Sequence, residues 1–260
     1  MKYSIDIVCP SRSSKQQTFF LDRMINSVKQ NSYFELVDLR FLICIDHECS
    51  ISLPNHDVDI IVVNSDGHSQ AKALNAGLRK CKGDFIAIIE DDDQWNRDFL
   101  KTAIKAFETR ELDFISSNQI EVGINGNIIR INDFPTPSGW VFRKKVIEQV
   151  GYFSEDFKWH LDNDFLGKIN KSKIRRGHLI EKYAPIDINL ARQVRPWIAN
   201  IYDSCKGNIE FLRHQNYEPL IVRQVHPESG MNRIASDKKL KKASDIEIIK
   251  LTKMYGGVPW

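Results

Sequence analysis

Four short apolar runs dominate the first 95 residues and limit what the chain can fold into: Ser4–Pro10, Leu39–Ile45, Val58–Val63 and Phe85–Ile89. Runs this short and this apolar, bounded by turn residues, read as buried strands. Between them, Thr18–Gln30 spaces Phe19, Phe20, Met24, Ile25 and Val28 as one helical face, and Ser69–Lys80 carries a second helical pattern. Strands that alternate with helices predict an α/β fold, with a mostly parallel central sheet and helices on both faces. The first strand is expected to stop at Pro10. Ligands of such sheets bind beyond the carboxyl ends of the strands. The polar residues that follow a strand here are Asp46, Asn64-Ser65-Asp66 and Glu90-Asp91-Asp92-Asp93.

The later part of the chain is less regular. Phe114–Ser117, Ile120–Val122 and Ile128–Ile131 read as short strands, with Asn125-Gly126-Asn127 as a turn between the last two. Lys144–Val150 reads as a helix ending at Gly151, Asp162–Lys168 opens another, and Ser236–Met254 is helical, with Leu240, Ile246, Ile249 and Leu251 as apolar contacts. The expected organisation is a nucleotide-binding half over 1–95, an acceptor-binding half over 96–230 and a C-terminal helical extension over 231–260. With 260 residues, 42% of them hydrophobic, the chain can bury a sizeable core, and it holds no apolar stretch of the roughly 20 residues that span a bilayer. Its five cysteines are odd in number and lack C-x-x-C spacing, which speaks against a disulfide framework and fits a soluble protein of the reducing cytoplasm. A net charge of +3 points to no partner class.

Four acids at the end of an apolar strand repel one another and are costly to desolvate, so a cation is expected to offset them. A hard divalent ion such as Mg2+ or Mn2+ takes carboxylate oxygens and substrate phosphates. The plainer reading is a solvated acidic turn before a helix. Around it, Lys82-Gly83-Asp84-Phe85-Ile86-Ala87-Ile88-Ile89-Glu90-Asp91-Asp92-Asp93-Gln94-Trp95 resembles the "A-x-G-D-Y-I-x-F-L-D-x-D-D-x-W" stretch of family 2 nucleotide-sugar glycosyltransferases with the GT-A fold. Upstream, Ile5–Pro10 and the Ser69–Gly77 helix with Lys72, Leu74 and Asn75 are similar to that family's first strand and the helix before its acidic stretch. Downstream, Pro137–Lys144, Val150–Phe153 and Asp162-Asn163-Asp164-Phe165 resemble its acceptor-side segment, its "G-G/Y-F" turn and its "E-D-x-D-L" motif, in the same order. The chain departs from the pattern at Glu90, where the family shows Asp, at Leu161, where it shows the first acid, and at Leu74, where it often shows Arg.

The resemblance implies a metal-dependent, inverting transfer of a sugar from a nucleotide-sugar donor, UDP-linked, to an acceptor hydroxyl of a glycan. It implies Asp162 as general base and Asp91 and Asp93 as metal ligands. His226, in Val225-His226-Pro227, is a late histidine of the kind that reaches the metal in such enzymes, or a structural one. Pro10, Asp46, Asp66, Lys72, Asn75, Asp91 and Asp92 fall on the donor side. Gly139, Trp140, Trp159 and Asp164 fall on the acceptor side. Taken singly, Asp162 also reads as a helix N-cap, Asp46 as a turn aspartate and Trp140 as core.

Three other functions compete. Lys173, Arg175, Arg176 and the lysines at 238–242 could track phosphates, which admits modified DNA as an acceptor. Nucleotidyl transfer also places carboxylate-bound metal at a strand end, but Pro10-Ser11-Arg12-Ser13-Ser14-Lys15 lacks the glycines of a phosphate loop. A non-catalytic sugar-binding module would have no need of Asp91, Asp93 and Asp162 together.

Overall fold

The computed structural model describes residues 3–11, 15–53 and 55–260, so Arg12, Ser13 and Ser14 of the segment weighed as a phosphate loop lie outside it. The first elements are β1 (Tyr3–Ser11), α1 (Lys15–Lys29), β2 (Val37–Ile45), β3 (Asp59–Asn64), α2 (Gln70–Lys80) and β4 (Phe85–Ile88). β1 pairs in parallel with β2 and β4, and β2 with β3. The expected stop at Pro10 is not seen. Pairing with β4 ends at Val8–Ile88, so Pro10 lies where β1 keeps a neighbour only on the β2 side, and a missing donor is tolerated there. In α1, Leu21, Met24, Ile25 and Val28 are buried, whereas Phe19 is 61% exposed and leaves the expected apolar face. α2 starts on Ser69, whose side chain accepts from the Lys72 N–H, an ordinary N-cap. It lies so close on the sheet that a Cβ at Gly77 would meet Cys44 Sγ at 2.4 Å.

Next come β5 (Gln94–Trp95), α3 (Phe99–Thr109), β6 (Phe114–Ser117), β7 (Gln119–Gly123), β8 (Ile128–Asn132), β9 (Trp140–Arg143), α4 (Lys145–Val150) and α5 (Leu161–Asn170). They are followed by β10 (Arg176–Ile180), α6 (Ile188–Val194), α7 (Pro196–Ser204), β11 (Ile209–Arg213), β12 (Ile221–Val225), α8 (Gly230–Ser236) and α9 (Lys238–Tyr255). The central sheet has eight strands in the order β11-β10-β6-β9-β4-β1-β2-β3, and only β9 runs against the rest. A four-stranded sheet, β5-β12-β7-β8, stands beside it. One apolar layer packs α1 and α3 against the central sheet, and another packs α2, α4 and α5 against it, so both faces are covered.

The helix expected over Ser236–Met254 is α9, which starts two residues later because the Asp237 carboxylate accepts from the N–H groups of Lys239 and Leu240 and caps it, while Ser236 ends α8. Of its expected apolar contacts, Leu251 is buried, while Ile246 and Ile249 are 58% and 55% exposed. β10 was not expected as a strand, because Arg-Gly-His-Leu-Ile lacks the apolar run of a central strand. It is nonetheless wholly buried, with Arg176 bonded to Asn170 and the Trp260 carbonyl.

Candidate active site

The carboxyl ends of β1, β2 and β4 open into a cavity of about 470 Å³, closed on the far side by loop 157–162 and by β12. The four acids after β4 have different partners. Ser11 Oγ donates to Asp91 Oδ2 at 2.5 Å, and Gln70 Nε2 donates to Glu90 Oε1 at 2.6 Å. Asp93 turns inward and accepts from Ser138 Oγ at 2.6 Å and from the backbone N–H of Gln224 at 3.0 Å. Asp92 Oδ2 lies 2.8 Å from Nε2 of His226, which directly follows β12. Glu90, Asp92 and Asp93 converge, with one oxygen of each within 4.8 Å of the others. Asp91, expected to hold the ion with Asp93, is outside this set because its carboxylate turns to Ser11 at the end of β1.

Burial, then the charges of Asp92 and Glu90, push the Asp93 carboxyl well above the usual range. Burial and Asp92 likewise raise Glu90. Facing them is Arg223 of β12. Burial would lower its guanidinium, but Asp93, Glu90, Glu121 and Asp92 hold it above the ordinary value. One Nη of Arg223 is already 3.0 Å from Glu121 Oε1, so the guanidinium that faces the three converging acids is shared with a fourth. An all-oxygen carboxylate set with excess negative charge fits a hard divalent cation. The buried Nδ1 of His226 has no hydrogen-bond partner among the described residues.

Asp162 lines the same cavity, in the first turn of α5. It is not the helix cap, a position held by His160. One of its oxygens accepts from the Asn163 N–H at 2.9 Å. Burial raises its carboxyl above the usual range against the opposing effects of that bond and of His160. The loop before it is held from behind by Glu247 of α9, whose carboxylate accepts from the backbone N–H groups of Lys158, Trp159 and His160 at 2.9–3.0 Å.

Residues 47–174, just under half of the chain, match the family model "Glycosyl transferase family 2". The chain is 24% identical over 127 residues to an uncharacterized glycosyltransferase, YwdF, of Bacillus subtilis (strain 168), covering 42% of this chain and 47% of that protein. Thus it spans about half the length of this curated relative. Among solved structures, residues 1–349 of S. aureus TarS in complex with UDP-GlcNAc superpose with a TM-score of 0.56 at 14% identity, covering 96% of this chain and 67% of that one. The same segment in complex with UDP gives 0.54, with 96% and 66% covered at 14% identity. The mannosyltransferase PcManGT of Pyrobaculum calidifontis, in complex with GDP-Man and Mn2+, gives 0.53 at 15% identity over 68% of this chain and 54% of that one. The chain shares the GT-A fold of these glycosyltransferases, and its residues 47–174 resemble family 2.

The other residues expected at the site divide into two groups. Pro10, Asp46 and Trp159 line the cavity with Asp91, Asp92, Asp93, Asp162 and His226. Asp66 and Lys72 do not; the Lys72 ammonium sits 3.6 Å from Asp66 and 3.8 Å from Glu155. Asn75 is buried and bonds both ways with the backbone of Phe153, which takes it away from the donor. Trp140, expected against a sugar ring, is fully buried and stacks on Phe153 and Phe165, with its indole N–H on the Pro135 carbonyl. Gly139 packs against the Ser117 backbone. Asp164, also buried, accepts from Tyr255 Oη at 2.8 Å and faces the Lys168 ammonium at 3.2 Å. The sequence reading missed Ser11, Ser138, Arg223 and Gln224. Arg223 and Gln224 lie on β12 just before Val225-His226, and that adjacency was the available signal.

Proposed function

We propose that this chain transfers a sugar from a nucleotide-sugar donor to an acceptor hydroxyl in a single, divalent-ion-dependent displacement that inverts the anomeric carbon. The observation that carries the reading is that Glu90, Asp92 and Asp93 converge in the cavity that Asp162 also lines. Glu90, Asp92 and Asp93, with His226 beside Asp92, would hold the ion, which when bound offsets charge developing on a diphosphate leaving group. Asp91, tied to Ser11 and near Pro10 and Asp46, belongs on this reading to the nucleoside side.

Asp162 acts at the acceptor. As the acceptor oxygen forms its bond to the anomeric carbon and the bond to the diphosphate breaks, the hydroxyl proton passes to an Asp162 carboxylate oxygen. Burial raises the basicity of that carboxylate and thereby suits it to accept the proton. Trp159 and Lys158 line the cavity wall just before it, which supports placing the acceptor there. A UDP-linked donor is the finer reading, supported by the UDP and UDP-GlcNAc bound to TarS; a GDP-linked sugar is bound to PcManGT.

Calorimetry tests the site. UDP is expected to bind with Mn2+ present and at least about tenfold more weakly after chelation, a loss of roughly 1.4 kcal/mol. The Asp92→Asn/Asp93→Asn variant is expected to bind with no Mn2+ dependence. Equal affinity with and without Mn2+ in the parent chain would overturn the metal assignment, and a retained anomeric configuration in the product would overturn the single displacement.

A further inference from the structure

α9 has two faces with different chemistry. The inner face carries Ser244 and Leu251, both buried, Tyr255 on Asp164, and Glu247 on the loop that leads to Asp162. On the outer face Lys239, Lys242, Ile246, Ile249 and Lys253 recur at intervals of three and four residues and are all exposed. That spacing makes one continuous stripe along the helix. Its centre is two isoleucines more than half exposed, at 58% and 55%, and its ends are lysines. Lys239, Lys242 and Lys253 form no ion pair among the described residues. Lys238 and Lys241 add positive charge at the helix start, and of the two acids in α9, Asp245 and Glu247, the second is turned inward.

We propose that the outer face of α9 docks on an anionic lipid bilayer, lying in the plane of the interface. The charge selects an anionic partner, and the isoleucines decide which kind. A nucleic acid or an acidic polymer offers phosphates or carboxylates and nothing to cover two aliphatic side chains at the centre of the stripe, whereas a bilayer offers anionic headgroups above an apolar layer. No described helix is long and apolar enough to cross a membrane, so docking is by this face and not by insertion across the bilayer. The placement has a consequence for the cavity. The bilayer would lie on one side of α9 while Glu247, on the other, holds Lys158, Trp159 and His160 at the cavity wall. An acceptor anchored in the same bilayer would then be delivered close to Asp162. Docking itself does not depend on the transfer reaction.

Flotation of the full chain with lipid vesicles tests the proposal. The chain is expected to float with vesicles of phosphatidylcholine mixed with phosphatidylglycerol, not with phosphatidylcholine alone, and to be released by salt. Ile246→Ser/Ile249→Ser is expected to lower partitioning by at least roughly tenfold, and each of Lys239→Gln, Lys242→Gln and Lys253→Gln by roughly fivefold at low salt. All of these side chains are exposed, so the thermal unfolding midpoint of each variant should match the parent and certify folding. Three results overturn the proposal: no flotation with the mixed vesicles, flotation indifferent to the isoleucine pair and fully competed by duplex DNA, or a concentration-dependent dimer that the isoleucine variant abolishes.

Discussion

Two groups of buried and half-buried carboxylates differ in how their charge is met. Asp133 and Glu181 share Arg195, which bonds both oxygens of Asp133 and lies 2.7 Å from Glu181 Oε1, while Asn118 Nδ2 donates to Glu181 at 2.6 Å. Burial alone would raise the Glu181 carboxyl, but hydrogen bonds from Arg195 and Asn118 hold it below the usual range. In the other group, Glu90, Asp92 and Asp93 face Arg223, which Glu121 already shares. There burial and mutual repulsion prevail, and Glu90 and Asp93 are raised. A buried carboxylate with its cation built in is part of the scaffold. One whose described cation is shared with a further acid is a place where a bound cation would relieve the repulsion.

The largest expected effect sharpens the functional side of this contrast. Asp162→Asn keeps shape and removes the proton acceptor, so kcat should fall by roughly 10²–10⁴ with UDP affinity unchanged. Steady-state kinetics beside calorimetry reads both, and near-parental turnover would return Asp162 to a merely structural place. On the scaffold side, Arg195→Met leaves Asp133 and Glu181 buried without their cation and should destabilise the fold by about 3–5 kcal/mol, read by urea unfolding. A loss below about 1 kcal/mol, the level of an exposed pair, would break the comparison.

Metal and pH separate the groups further. Saturating Mn2+ should stabilise the parent by about 2.7 kcal/mol at a hundredfold excess over Kd, read as a rise in Tm, and should leave the Asp92→Asn/Asp93→Asn variant unmoved. The pH dependence has opposite signs in the two groups. Glu181 has a depressed folded-state pKa, so its stabilisation is present above its unfolded pKa and is lost as pH falls through the folded one. Glu90 and Asp93 have raised folded-state values, so the folded state binds more protons. Metal-free stability from these two should therefore fall as pH rises from the ordinary carboxylate range through the raised values. The same direction at Asp162 predicts that kcat/KM declines on acidification already above the usual carboxylate pKa. The smallest effect is Glu90→Gln, which relieves repulsion in the metal-free protein and should raise its stability by less than about 1 kcal/mol, measured by unfolding after chelation.

The parallel half of the fold is legible in the sequence because β1, β2 and β4 are buried on both faces and need almost unbroken apolar runs, and because Ser69 marks the start of α2 by capping it. The strand ends then point to the acids. Legibility fails where polar residues are buried by pairing with distant partners. β10 hides Arg176 and His178 in the interior, and a local pattern cannot anticipate the Asn170, Ser116 and Trp260 groups that bond one nitrogen of each. At the site, the order of motifs brought Asp162 and the acidic stretch to notice. The role of Gln224 depends on β12 approaching the end of β4 from more than a hundred residues away, as its N–H bond to Asp93 shows, and that of Ser138 on the turn just before β9. Trp140 illustrates the opposite error, an aromatic beside the acceptor segment in sequence whose ring points into the core.

Asn75 shows what kinds of change each part of the molecule can accept over evolutionary time. Its amide donates to the Phe153 carbonyl and accepts from the Phe153 N–H, imitating a rung of a β-ladder with a side chain. Aspartate is nearly the same size but brings two acceptors and no donor, so it would leave a buried carbonyl facing a carboxylate. Drift at 75 is therefore confined to residues that keep an amide of the right reach. At 90 the demand is for negative oxygen, which glutamate and aspartate both supply. Of two polar positions that look alike in a sequence, the mechanical one is the less forgiving.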